Sequence, residues 1–337
     1  MRLRATMKDV AALSGVSLKT VSRVVNGEPG VSEELIQRVR GAVAQLDYRH
    51  NLTASNLRRG HRTGSIGVLL HDLRNPFSAT LLRAIEDRAR PAGVAVLSSS
   101  LDDHQEREAL MAEAMASRRV DGLVLMPTGD DQSYLFSDIR AGLAVVVVDR
   151  PARGVDVDTV VVDNVGGAQQ AVAQLAGLGH RRIACLTDRE EIWTAAERRR
   201  GYGLGMAAAG LDVNERLTIT SLRTSADATH AVLELLDSTE PPSAIFAARN
   251  DLTVGVVRAL RERGLQRDVA LIGFDDFPMS DLVEPSVTVV AQDLESLGAR
   301  AGDLLFARMQ HGSAPAQRVV VPTTLKPRES GGIPPRA

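Results

Sequence analysis

Thr6-Met7-Lys8-Asp9-Val10-Ala11-Ala12-Leu13-Ser14-Gly15-Val16-Ser17-Leu18-Lys19-Thr20-Val21-Ser22-Arg23-Val24-Val25-Asn26-Gly27 holds two short helical patterns around one break. Thr6 stands as an N-cap with Asp9 placed to return the bond, an approximate capping box. Val10, Ala11 and Leu13 supply the apolar face of this first helix, and Gly15 breaks it. Ser17 caps a second helix, Leu18 to Asn26, after a turn of about three residues, and two helices so joined read as helix-turn-helix. A third helix, capped by Ser32, follows with Leu35, Ile36, Val39, Val43 and Leu46 at helical spacing. The pattern predicts a small closed three-helix bundle.

The second helix carries the chemistry. Val21, Val24 and Val25 form its inward stripe, while Leu18, Lys19, Ser22, Arg23 and Asn26 share the opposite face. Two cations among short polar groups suit a DNA major groove, where Arg reads guanine bidentately and Lys reads guanine or phosphate. The charge distribution agrees. Residues 1–62 hold 11 Lys and Arg against 5 Asp and Glu, whereas the other 275 hold 29 against 37. A basic module on an acidic body is expected to meet a polyanion at one end.

Outward from the module, the chain has 337 residues, 44% hydrophobic and 24% charged, a globular composition with room for two or three domains. Aromatic residues are only 3%, so the core must rest on Val, Leu, Ile and Ala. No apolar run approaches the roughly 18–20 residues of a membrane span and no signal peptide opens the chain. A cytoplasmic protein with no membrane partner is expected. The single cysteine, Cys185, excludes an intrachain disulfide and a cysteine metal cluster.

Met7-Lys8-Asp9-Val10-Ala11, then Gly15-Val16-Ser17, then Thr20 to Gly27 resembles the signature of the LacI/GalR family of bacterial repressors, a long and specific pattern. By that resemblance the protein is associated with the bacterial nucleoid, and Leu18, Lys19 and Arg23 take the base-reading positions. Thr6, Ser17, Thr20, Ser22 and Asn26 would contact phosphates, which set register and not sequence preference. The polar segment 51–60 is too short to be a stable helix alone. In the family the matching segment folds when a dimer closes on DNA, which makes Leu57 the apolar wedge in the minor groove and puts Asn51 and Arg58 among the DNA contacts. The match departs from the family pattern where His50 replaces a proline and Ala54-Ser55 replaces Ala-Arg, which loosens the approach to the hinge and removes a phosphate contact.

From Ser65 on, short apolar runs alternate with helical patterns. Strands are expected at Ile66–Leu70, Val94–Leu97, Leu123–Met126, Val145–Val148, Ile183–Leu186, Ala244–Phe246 and Val269–Phe274. Between them fall helices such as Ser78–Arg90, Gln105–Ser117, Gly167–Leu178, Asp227–Leu236 and Leu252–Arg263. Repeated βα units imply parallel sheets covered on both faces, here two doubly wound lobes. The strand Val287–Val290 and the helix Leu294–Met309 are expected to carry the chain back to the first lobe.

Ligands of parallel sheets collect beyond the carboxyl ends of the strands. Asn75-Pro76-Phe77, Asp149-Arg150, Asn250-Asp251, Asp275-Asp276 and Gln292 all fall there. Carboxylates, guanidinium and amides suit vicinal hydroxyls, and Phe77, Phe274 and Trp193 offer faces for an apolar ring. The body resembles the periplasmic-sugar-binding-protein fold that forms this family's effector domain. That resemblance assigns Asn75, Phe77, Asp149, Arg150, Asn250, Asp275 and Gln292 to effector contacts, and Arg198 to the family's Arg-x-x-Gly-(Phe/Tyr) motif. Ser78 stands where a second Phe is common. The implied architecture is a small all-α three-helix helix-turn-helix domain (1–51), a hinge (52–64), an α/β two-lobed periplasmic-binding-protein-like domain (65–330) for effector binding and dimerisation, and a flexible tail (331–337). Its lobes would comprise about 65–163 plus 291–321, and 164–290 plus 322–330.

Other signals carry little. Gly201-x-Gly203-x-Gly205 lies inside a helical pattern and lacks the strand that a dinucleotide loop follows. His180 reads as a helix-to-strand connection and Cys185 as an inert core thiol. No nucleophile-base pair, metal motif or phosphate loop occurs, so no catalytic residue, metal or cofactor is expected. The resemblance implies a homodimeric repressor of carbohydrate-metabolism genes on a palindromic operator, released by a small sugar-like effector. A co-repressor such as a purine, or a protein partner, stays open as the regulator, with a sugar-acting enzyme as the remote alternative.

Overall fold

The computed structural model describes residues 5–48, 63–312 and 314–336. Asn51, Leu57, Arg58 and the expected hinge up to residue 62 lie outside them. The chain divides into two compact units between Thr63 and Gly64.

The first unit is built from α1 (Met7–Ser14), α2 (Leu18–Val25) and α3 (Glu33–Gln45). Thr6 and Asp9 form a reciprocal capping box: the Asp9 N–H donates to Thr6 Oγ1 at 3.4 Å and the Thr6 N–H to Asp9 Oδ2 at 2.7 Å. Ser17 Oγ accepts from the Thr20 N–H at 3.1 Å. Ser32 stands at the N-cap of α3 but its side chain makes no cap bond. Packing holds that helix instead. Val10, Val21, Val39 and Ala42 are buried together across all three helices, each valine contributing about 1.5–3 kcal/mol. Leu13, expected on this face, is 46% exposed, because the inward line of α1 runs through Val10 and Ser14. The chain leaves α2 by a left-handed residue, Gly27 at φ 69°. The Gly27 N–H donates to the Val24 carbonyl at 3.2 Å and the Glu28 N–H to the Arg23 carbonyl at 2.9 Å, the paired bonds of a Schellman motif.

The second unit begins with β1 (Ser65–Leu70), α4 (Pro76–Ala89), β2 (Ala95–Ser100), α5 (Gln105–Ser117), β3 (Gly122–Leu125), α6 (Phe136–Arg140), β4 (Ala144–Val148) and β5 (Asp158–Val162). Its second lobe follows with α7 (Asn164–Gly177), β6 (Ile183–Leu186), α8 (Trp193–Ala208), β7 (Thr218–Ile219), α9 (Ser225–Leu236), β8 (Ala244–Ala247), α10 (Asn250–Glu262), β9 (Ala270–Phe274) and β10 (Thr288–Gln292). The chain then returns through α11 (Leu294–His311) and β11 (Arg318–Val321) and ends in β12 (Thr323–Lys326). The sheet orders are β11-β5-β4-β3-β1-β2 and β12-β10-β9-β8-β6-β7, parallel throughout except for the antiparallel β10–β12 pair. Side chains alternate as a two-residue period demands. Ile66, Val68 and Leu70 join one core with α4 and α11, while Leu69, Leu123 and Leu125 join the other with α5.

Two expectations need correction. The strand Val287–Val290 does not return to the first lobe; it is β10, paired with β9 and β12, and the return is made by α11 and β11. The reason is register: Val289 is buried with one face of the second sheet and Val290 with the other. The tail from 331 is packed through Arg336, not flexible. Gln174 Nε2 donates to the Gly331 carbonyl at 2.7 Å, His180 Nε2 donates to the Ile333 carbonyl at 2.8 Å, and Arg336 pairs with Asp268. Prolines that forbid a helix permit this extended strap. Ser243 Oγ lies 2.9 Å from the other His180 ring nitrogen, and burial holds the imidazole below its usual pKa.

Three crossings join the lobes: β5 to α7 at Asp163, β10 to α11 at Asp293, and β11 to β12 at Pro322. Asp163 and Asp293 cap their helices alike, accepting from the N–H groups of Gly166 at 2.8 Å and Ser296 at 2.9 Å. The Asp163 N–H donates to the Val321 carbonyl at 3.0 Å, and Gln292 pairs with Thr323, so all three crossings run side by side.

Candidate functional site

Two surfaces hold the residues singled out from the sequence. On the first unit, Leu18 is 42% exposed, Lys19 is exposed, and Arg23 is half-buried on the same side of α2. Thr6 and Ser17 are exposed at the N-caps of α1 and α2. Several of the expected phosphate contacts already hold local bonds. Ser17 Oγ and Thr20 Oγ1 lie 2.9 Å apart, and Asn26 Nδ2 donates to the Ser22 carbonyl at 2.6 Å and lies 3.1 Å from Ser22 Oγ. These bonds order the ends of α2, which is how a short helix presents fixed donors. Arg23 is folded onto its own turn: one guanidinium nitrogen donates to the Pro29 carbonyl and Nε lies 3.9 Å from Glu28 Oε2.

On the second unit, a cleft lies between the lobes, with about 570 Å³ of space that includes its opening to solvent. Asn75, Phe77, Asp149, Arg150, Arg198, Asn250 and Asp275 all line it. Strand ends deliver most of them. Asn75 caps α4, its Oδ1 accepting from the Phe77 N–H at 3.0 Å, and it meets Asn250 of the opposite lobe through reciprocal amide bonds of 3.3 and 3.0 Å. Met126, Ile192 and the Phe77 ring supply an apolar wall.

Arg198 organises the second lobe's side. Its Nε donates to Asn164 Oδ1 at 2.8 Å, and Nη1 donates to the Ala248 carbonyl at 2.8 Å and to Asp275 Oδ2 at 3.1 Å. The motif around it has a local logic. Gly201 lets α8 close on α7, where a side chain would collide with the Val165 carbonyl, and the Tyr202 hydroxyl donates to the Ile183 carbonyl at 2.9 Å. On the first lobe's side, Arg150 Nη1 donates to Asp103 Oδ1 at 3.0 Å, with His71 Nδ1 at 3.2 Å from the same oxygen. Burial works against the Asp103 charge, but His71 and Arg150 outweigh it and hold the carboxyl well below the usual range. Arg249 is paired with Asp188. Each of the three guanidinium groups lining the cleft therefore has a carboxylate partner among the described residues. Asp149 differs: burial pushes its carboxyl above the usual range against the pull of Arg150 and Arg198, and its nearest cation, Arg150 Nε, is 3.5 Å away.

Three expected effector contacts do not line the cleft. Trp193 is five residues from Arg198, about 140° around a helix, and its ring lies under Arg318 at 5.8 Å. Phe274 is fully buried, and the Arg198 guanidinium covers its ring at 3.8 Å, so that face is occupied. Gln292 stands one bond behind the cleft, its Nε2 donating to Asp275 Oδ1 at 2.5 Å. Sequence reasoning also passed over His71, Asp188 and Arg249, which line the cleft and follow β1, β6 and β8. The strand-end rule that found Asn75 and Asn250 would have found them. Asp103, whose partner lies 47 residues on, has no local signal. Cys185 lies inside β6, fully buried, with burial pushing its thiol up to about 12. Among the described residues no helix is long and apolar enough to cross a membrane.

Residues 6–51 match the family model of bacterial regulatory proteins, lacI family, and residues 172–331 match a periplasmic binding protein-like domain. Catabolite control protein A of Priestia megaterium is 30% identical over 331 residues, covering 97% of this chain and 99% of that protein. The ribose operon repressor of Escherichia coli K12 is 31% identical over 329 residues, with coverage of 97% and 99%. Among solved structures, a lac repressor dimer bound to operator and an anti-inducer matches with a TM-score of 0.86 at 25% identity, over 98% of this chain and 99% of that one. A complex of the transcriptional regulator CelR with cellobiose matches with a TM-score of 0.72 at 30% identity, over 97% and 100%.

Proposed function

The chain belongs to the lacI family of bacterial regulatory proteins, and from that premise we propose that it is a homodimeric repressor released from operator DNA by a small neutral sugar. It is a DNA-binding transcriptional regulator, not an enzyme. A two-fold dimer calls for a near-palindromic operator, with each half-site read by Leu18, Lys19 and Arg23 and a central step opened by Leu57. Thr6, Ser17, Thr20, Ser22, Asn26, Asn51 and Arg58 would fix the register on phosphates. Such a regulator works in the cytoplasm, at the nucleoid.

The observation that carries the effector class is the pairing of charge in the cleft. Arg150, Arg198 and Arg249 each already hold a carboxylate, so a phosphate or sugar acid would compete with one for its cation. Asp149 keeps acceptor capacity beside an apolar wall of Phe77, Met126 and Ile192, the combination a polyol ring with one apolar face requires. Asn75, Asn250, Arg198 and Asp275 would complete the hydroxyl contacts, with Gln292 behind Asp275. The ribose operon repressor and the CelR–cellobiose complex are named for sugars, which supports the same reading. Effector binding would weaken operator affinity by about 5–150-fold, the usual range of such coupling.

A thermal-shift panel of neutral pentoses, hexoses and disaccharides, sugar acids, phosphorylated sugars and purines tests this. A ligand at 100 times its dissociation constant adds about 2.7 kcal/mol, a shift of several degrees. A neutral sugar is expected to raise the melting temperature and to loosen operator binding. Hits confined to phosphorylated sugars or purines would overturn the effector class, and a hit that tightens operator binding would overturn the inducer sign.

A further inference from the structure

Arg23 and Glu28 are brought together by the end of α2. In a Schellman motif the second residue past the cap lies over the last turn of the helix, and the usual contact there is hydrophobic. Here those two positions are Glu28 and Arg23. The Glu28 N–H donates to the Arg23 carbonyl at 2.9 Å, so the backbone sets one residue against the other. Their side chains face each other with Arg23 Nε 3.9 Å from Glu28 Oε2, each 37% exposed. The Pro29 carbonyl accepts from the same guanidinium. A surface that meets DNA thus carries an acidic side chain aimed at one of its cations.

We propose that Glu28 is a specificity-determining residue for operator DNA, acting through Arg23. A guanidinium bonded to a carbonyl and 3.9 Å from a carboxylate has less to gain from a phosphate, so Arg23 contributes little to nonspecific binding. A guanine edge offers two acceptors in the geometry of the guanidinium fork and discriminates by about 5–150-fold. An exposed ion pair is worth less than about fivefold. Guanine therefore releases Arg23 where an unmatched site does not. The inference rests on Arg23 being a base contact.

The test uses the full chain and three proteins: wild type, Glu28→Gln and Arg23→Ala. Each is put through selection from a randomised palindromic duplex library, then titrated by fluorescence anisotropy against the wild-type-selected operator and an unrelated duplex across a salt series. Glu28→Gln keeps the backbone bonds of the turn, and its melting temperature reports that it is folded. The expected result is a two- to fivefold gain in affinity for unrelated DNA and a smaller gain for the operator. Guanine preference should weaken at the position lost in Arg23→Ala and stay unchanged at the others. Equal gains on both duplexes, with preference intact, would overturn the proposal and leave Glu28 as a general repulsive charge. Unaltered base preference in Arg23→Ala would instead overturn the reading of Arg23 itself.

Discussion

β4 and β9 each end on an aspartate in the left-handed region, Asp149 at φ 66° and Asp275 at φ 71°. Each donates its N–H at 2.9 Å to a carbonyl on the following strand, Val160 in one lobe and Val290 in the other. The backbone is repeated, and the side chains are used differently. Asp275 accepts from Arg198 at 3.1 Å and from Gln292 at 2.5 Å, so its charge is committed to holding the second lobe's wall. Asp149 is equally buried but has no partner closer than 3.5 Å, and burial raises its carboxyl. The contrast separates a carboxylate that builds the cleft from one that keeps its capacity for a ligand.

The largest effect that would break this contrast is on the paired side. Arg198→Ala leaves Asp275 buried without its cation and should cost about 3–5 kcal/mol in chemical denaturation of the whole chain. Arg150→Ala should cost less, since Asp103 keeps His71; equal losses would mean that the two lobes are built alike. Next come the aspartates themselves. Asp275→Asn should lose about 1–3 kcal/mol, whereas Asp149→Asn should be neutral or slightly stabilising yet cost at least about tenfold in affinity for whichever neutral sugar binds. A destabilised Asp149→Asn with intact ligand binding would reverse the assignment.

The pH dependence sharpens the same point. A carboxyl raised in the folded state binds its proton more tightly there than in the unfolded chain, so its contribution is lost as pH rises. The advantage of Asp149→Asn over wild type should therefore widen as pH climbs from about 4, where an unfolded aspartate ionises, and level off above the raised value. A difference flat in pH would mean that Asp149 ionises without penalty. The smallest effect is expected where the lobes touch. Asn75→Ala and Asn250→Ala should show a coupling of about 0.5–1.5 kcal/mol in a double-mutant cycle, and additivity would mean that the amide pair contributes nothing across the cleft.

The three-helix unit was legible because its signals are local. Thr6, Asp9 and Ser17 act within one turn, and a cap is a property of spacing. Most of the longer strands were legible for a related reason, since a run of apolar residues leaves few alternatives, although β5 (Asp158–Val162) was not among those expected. β7, two residues long, and β11 and β12, divided by Pro322, owe their existence to neighbours far along the chain. The cleft followed the same rule. Asn75, Asp149 and Asn250 stand where strand ends must place them, but which cation each aspartate holds depends on contacts across tens of residues. Trp193 and Phe274 fall outside the cleft lining through phase: the indole stands about 140° around α8 from Arg198, and strand alternation sends the phenyl into the core.

The three side-by-side crossings have a mechanical consequence. A body joined to another at one point can swivel, and at two points can still twist about the line between them. Joined along a row of three, two of them stiffened by matching aspartate caps, it keeps essentially one motion, like a door on its hinges. A molecule that enters between the lobes therefore has a single coordinate to act on. Whatever energy it delivers arrives as an angle and is not dispersed among many small adjustments.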